Sequence, residues 1–85
     1  MYESLIKKYI NKLTINDINN FAKQNNIILP TGEDKTIYDF IINNWKEIYN
    51  SKDLSVFNEI KTKISNNTYN KIIELYNIYK EKIGK

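Results

Sequence analysis

Glu33-Asp34-Lys35-Thr36-Ile37-Tyr38-Asp39-Phe40-Ile41-Ile42-Asn43-Asn44-Trp45-Lys46-Glu47-Ile48-Tyr49 is the stretch that decides the fold. Its apolar residues recur with a period near 3.6, the signature of a helix, and not with the period of two that marks a strand. At 100° per residue, Ile37, Tyr38, Ile41, Ile42, Trp45, Ile48 and Tyr49 fill an arc of roughly 140° centred near Trp45. Phe40 falls roughly 60° outside that arc. A helix this apolar must touch several neighbours. Residues 33–49 are therefore expected to be the hub of a bundle, with Trp45 largely buried.

Upstream, Thr31-Gly32-Glu33-Asp34 reads as a helix start, with acids in the first turn where the helix dipole favours negative charge. Before it, Ile27-Ile28-Leu29-Pro30 is too short for a helix, and Pro30 pushes Leu29 toward extended backbone. This stretch is expected to be a connector that tucks Ile27 or Leu29 into the core. Thr14-Ile15-Asn16-Asp17 fits a capping box for a helix over 15–25, which buries Ile15, Ile18, Phe21 and Ala22. Asn25-Asn26 suits its end, because Asn tolerates left-handed backbone. A first helix over 2–12 carries Tyr2, Leu5, Ile6, Tyr9 and Ile10 on one side, continued by Leu13.

Downstream, the chain restarts at Asn50-Ser51-Lys52-Asp53. A helix over 52–64 is expected to bury Val56, Phe57, Ile60 and Ile64. Ser65 caps the last helix, over 66–83, whose apolar set is Tyr69, Ile72, Ile73, Leu75, Tyr76, Tyr79 and Ile83. One Pro and two Gly in 85 residues leave few places to break these helices. The expectation is an all-α, compact single-domain bundle of about five helices over residues 1–85.

Composition sets bounds on function. With no Cys and no His, there is no thiolate for metal or attack and no imidazole for proton transfer near neutral pH. Ile, Asn, Lys and Tyr make up 50 of the 85 residues. All four have codons built largely from A and T, so the balance points to an AT-rich genome. The net charge of +3 comes from Lys alone, without Arg, which weakens a nucleic-acid reading. Charge is uneven: +2 over residues 1–30, −2 over 31–50 and +3 over 51–85. No apolar run is long enough to span a membrane, and the first residues lack the order of a signal peptide. A cytoplasmic protein without membrane contact is expected.

The carboxylate pairs Glu33/Asp34 and Asp39/Glu47 sit at a helix start and on a polar face. Capping and solvation account for them better than catalysis, which needs two pKa values pushed apart. No nucleophile–base pair and no phosphate-cradling glycine loop is present. No enzyme activity and no cofactor or metal is expected. The order helix, extended stretch, Leu29-Pro30, Gly32, Lys35, helix resembles the SAP-type DNA-binding module. Its second helix is acidic here, where phosphates call for cations. Lys7, Lys8, Lys12, Lys61, Lys63, Lys80, Lys82 and Lys85 would form one basic face only if the two ends of the chain packed together.

Leu13-Thr14 with Phe21-Ala22-Lys23, then Ile42-Asn43-Asn44-Trp45, then Ser65 with Thr68-Tyr69-Asn70-Lys71-Ile72 and Leu75-Tyr76 carry a resemblance across nearly the whole chain. Together they resemble the YqfT-like family of short uncharacterised helical proteins from low-GC Gram-positive bacteria. The resemblance implies a cytoplasmic bacterial protein and supplies no catalytic residues. Function then rests on surplus apolar surface. Ile78 lies roughly 60° outside the stripe of the last helix, as Phe40 does for the hub. The expectation is a small non-catalytic protein–protein interaction module, with Leu75, Ile78, Tyr79 and Phe40 as the face for a protein partner or a weak homo-oligomer. The alternative, less favoured, is a nucleic-acid-binding accessory domain using the Lys-rich ends.

Overall fold

The capping signals carry through into local structure. In a computed structural model that describes residues 2–50 and 54–82, five α-helices and one 3-10 turn are present, and no strand occurs among the described residues. The order is α1 (Tyr2–Lys12), α2 (Ile15–Gln24), α3 (Glu33–Asn50), the 3-10 turn (Ser55–Phe57), α4 (Asn58–Lys61) and α5 (Asn66–Lys82). Thr14 and Asp17 form the full capping box of α2. The Asp17 N–H donates to Thr14 Oγ1 at 3.2 Å, and the Thr14 N–H donates to Asp17 Oδ2 at 3.0 Å. Asn26 takes left-handed backbone (φ 59°) just beyond α2. The Ile27 N–H then reaches the Ala22 carbonyl at 2.8 Å and the Asn26 N–H that of Lys23 at 3.3 Å, which is a Schellman closure.

Between α2 and α3 the connector is extended as expected. Leu29 packs on the core and Ile27 is half-buried, while Ile28 points to solvent. α3 is entered through a tight turn, in which the Glu33 N–H donates to the Pro30 carbonyl at 3.0 Å and Gly32 sits at φ +90°. That φ at the third position of a turn is the glycine position of the type II class.

α3 is the hub: α1, α2, the 3-10 turn and α4 all approach it. Its inward face differs from the expected one. The core holds Ile18, Ile37, Phe40, Phe57, Ile60 and Ile64, with Ile41 and Ile48 packed against it. That centres the buried side of α3 near Ile37, roughly 80° around the helix from Trp45. Phe40, expected at the edge, is only 6% exposed, and its ring centroid lies 5.9 Å from that of Phe57. Trp45, expected at the centre, is half-buried on the flank, with the Lys46 ammonium 5.8 Å from its ring centroid. The arrival of Phe57 from the following segment selects which part of a wide apolar arc is covered.

The segment expected as a helix over 52–64 is shorter. It is a 3-10 turn running into four residues of α-helix, and its start at Ser51-Lys52-Asp53 lies outside the described residues. Phe57 and Ile60 are three residues apart, the spacing that a 3-10 turn stacks on one side. Both are buried, as is Ile64. On α1, Ile6 and Ile10 are half-buried, whereas Leu5 and Tyr9 remain exposed. The apolar arc of α1 is therefore wider than its one contact, with α3, can cover. The radius of gyration is 12.5 Å, close to the value of about 12 Å expected for a compact chain of this length. No helix among the described residues is long and apolar enough to cross a membrane.

Candidate interaction groove between α2 and α5

α5 begins with a cap that joins distant parts of the chain. The Thr68 N–H donates to Ser65 Oγ at 3.3 Å, as a serine cap should. The Ser65 N–H donates to Glu33 Oε2 at 2.8 Å, across 32 residues. Glu33, at the first position of α3, thus does for α5 what the acid of a capping box does within one helix. Its other oxygen, Oε1, is buried and meets no hydrogen-bond donor. Asp34 turns the opposite way. Asn19 Nδ2 donates to its Oδ2 at 2.9 Å, tying α2 to α3, and the Lys35 N–H donates to Oδ1 at 2.7 Å. The Asn19 bond first, then the Lys35 N–H, hold the Asp34 carboxyl below the usual aspartate range. Asp39 accepts from Lys35 Nζ at 2.7 Å, and that contact raises the Lys35 pKa. The acids of the middle segment with hydrogen bonds here are therefore structural ties. No cluster of three potential metal ligands occurs among the described residues.

Beyond its capped start, α5 leans away from the hub. Among the described helices, only α4 comes close to its backbone. Its side chains bridge the gap. Tyr69, Ile72, Ile73 and Tyr76 reach the core, and the Tyr76 ring meets Phe57 edge-on at 5.0 Å. Thr68 is 1% exposed, and its hydroxyl lies 2.9 Å from Ser65 Oγ. What remains between α2, the connector and α5 is an apolar cavity of about 220 Å³. Phe40, Phe57 and Ile60 form its back wall. Phe21, Ala22 and Ile27 line it from one side and Leu75 from the other. Ala22 is buried in its wall, while the exposed Phe21 and the half-buried Ile27 and Leu75 mark its mouth.

The expected partner face divides here. Leu75 is half-buried at the mouth, and Ile78, one turn further on, is 42% exposed. Phe21 is 40% exposed across the opening. Phe40 is removed from that face, since it lies in the core. Tyr79 belongs to α5, but its side chain lies outside the described residues, as does all of Ile83. Phe21 was read from the sequence as core alone, and nothing in the spacing of α2 separates a buried Phe from one at a rim. Thr68 could have been found: it stands four residues before Ile72 and seven before Leu75 on one helical stripe.

Among the described residues, the Lys-rich ends of the chain are not brought together. α1 and α5 make no close backbone approach among the described residues, so the packing of the two ends that a single basic face requires is not formed there. Lys61 lies 5.7 Å from the Tyr69 ring centroid, and Lys71 lies 4.0 Å from Glu74. The side chains of Lys80, Lys82 and Lys85 lie outside the described residues.

A family model described as a protein of unknown function (DUF2624) matches residues 1–80. The chain belongs to that family. The match runs from the first turn of α1 through most of α5, so the hub, the Glu33–Ser65 tie and the cavity all fall within the family's span. No curated protein and no solved structure matches the chain.

Proposed function

We propose that this chain is a non-catalytic, cytoplasmic protein–protein interaction module that docks a protein partner through the outer edge of α5. Self-association through the same edge belongs to the same reading. One observation supports it: Leu75 lines an apolar opening together with the half-exposed Phe21, and Ile78, a turn further along α5, is 42% exposed. Scattered exposed apolar residues mean little, but a contiguous patch beside a groove is the usual mark of a docking site. Helix-accepting grooves use this arrangement, with apolar anchors three or four residues apart. Of the acids that could have suggested chemistry, Glu33 caps α5, Asp34 ties α3 to α2, and Asp39 pairs with Lys35 within α3. We also read the chain as a relative of the YqfT-like proteins of low-GC Gram-positive bacteria, a kinship that carries no function with it.

The test is Ile78→Lys, a change at an exposed site that leaves the core untouched. The parent should run heavier than its 10.2 kDa monomer in light scattering, or retain a protein partner on affinity capture. The variant should melt as the parent does and lose that association. If both proteins are monomers that bind duplex DNA or RNA with a steep salt dependence, the nucleic-acid alternative replaces this reading.

A further inference from the structure

We propose that the cavity behind Phe21 and Leu75 is a binding site for one unbranched hydrocarbon chain of roughly nine carbons, threaded between α2 and α5 with its polar end in solvent. The argument starts with what the lining offers. Of the side chains around the cavity, all but Thr68 are apolar or aromatic, and the Thr68 hydroxyl is engaged with Ser65. A buried water needs two to four polar partners, so water gains little by entering, and an apolar guest gains contact with the walls behind the mouth. Size follows from volume. A dry cavity of about 150 Å³ takes up benzene, and the same volume per carbon places roughly nine carbons in this one. Lining selects the shape. The walls include both the half-exposed Phe21 and Ile60 and Thr68, each 1% exposed, so the cavity runs from the surface to the most buried part of the core. A slim methylene chain can pass between α2 and α5, whose backbones are not in close contact. This inference shares its mouth residues, Phe21 and Leu75, with the docking reading but concerns the interior behind them, and Ile78→Lys separates the two.

The probe is the series of straight-chain 1-alkanols from hexanol to dodecanol, each below its solubility limit. Binding is read from the rise in melting temperature and from methyl NMR shifts. Affinity should tighten by about fourfold per added methylene, the free energy of burying one such group. It should level off near nine carbons, when the cavity is full. The shifts should fall on Ile60, Thr68, Ile72 and Leu75. Ala22→Leu, which fills the cavity from its wall, and Leu75→Trp, which plugs its mouth, should each weaken binding by tenfold or more. Ile78→Lys should bind as the parent does, whatever it does to a protein partner. A flat series, or one that keeps tightening through dodecanol without a plateau, overturns the proposal. So does a pair of filled variants that respond like the parent. If those variants fail to fold, the parent's shift map decides, and shifts confined to exposed Leu5 and Ile28 overturn the proposal.

Discussion

Replacing Glu33 with Ala should destabilise the whole molecule although the residue sits at the surface-facing start of a helix. Two effects add. The first is loss of the acceptor for the Ser65 N–H, a bond of 2.8 Å between a backbone donor and a charged carboxylate in a partly buried setting. Hydrogen bonds to charged groups contribute about 1.5–3 kcal/mol, and the donor left behind at the start of α5 has no substitute in the structure. The second is loss of negative charge at the first turn of α3, worth about 0.3–1 kcal/mol. A cost of about 2–4 kcal/mol is therefore expected. A chain of 85 residues has roughly 4–12 kcal/mol of stability, so this is a large fraction. With an unfolding entropy near 2.1 cal/mol/K per residue, it lowers the melting temperature by roughly 11–22 °C. Differential scanning calorimetry or far-UV circular dichroism measures it. Asp34→Ala is the comparison: it removes the same sign of charge one residue on, together with the exposed bond from Asn19, without touching α5, so Glu33→Ala must cost more than charge and an exposed hydrogen bond combined. Glu33→Gln keeps an oxygen for Ser65 but loses the charge, and should fall between. If Glu33→Ala melts with the parent, or no lower than Asp34→Ala, the carboxylate does not tie α3 to α5 and the account of how α5 is held is wrong.

Three further outcomes follow from the same structure. Phe40→Ala should cost about 3–5 kcal/mol in chemical denaturation, the range for a buried Phe, and clearly more than Trp45→Ala; the reverse order would restore Trp45 to the centre of the hub. Asn19→Ala should move the Asp34 carboxyl back up toward the ordinary aspartate range in an NMR titration. Because folding lowers that pKa, the bond from Asn19 supports the fold above the ordinary aspartate range and is lost as the pH falls through the lowered value. An Asp34 titration that ignores Asn19→Ala would contradict the α2–α3 tie. Finally, Ile78→Lys should leave the melting temperature unchanged while abolishing any self-association or partner capture seen for the parent, as measured by light scattering.

Five helices, four of them near their observed limits, were readable from apolar spacing and caps. A capping box needs only residues three apart, and Thr14 with Asp17, like Ser65 with Thr68, carries its geometry in local sequence. Asn26 and Gly32 stand where left-handed backbone is required, which is again a local demand. The connector through Pro30 was legible because proline restricts the residue before it. Sequence also shows the absence of Cys and His, and so the lack of their chemistry.

Tertiary structure alone decided which part of each apolar arc is buried. A helical wheel measures how wide the arc is but not where its neighbours come to rest, and the arcs of α1, α3 and α5 are all wider than one contact covers. On α3 the choice fell toward Phe40, because Phe57 stacks there, and away from Trp45. On α1 it left Leu5 and Tyr9 outside. On α5 the decision came from a bond spanning 32 residues, Glu33 to Ser65, which fixes the start of the helix while the rest leans off the hub. The cavity between α2 and α5 is the consequence of that lean. It belongs to no single stretch of sequence, since its walls come from every element except α1.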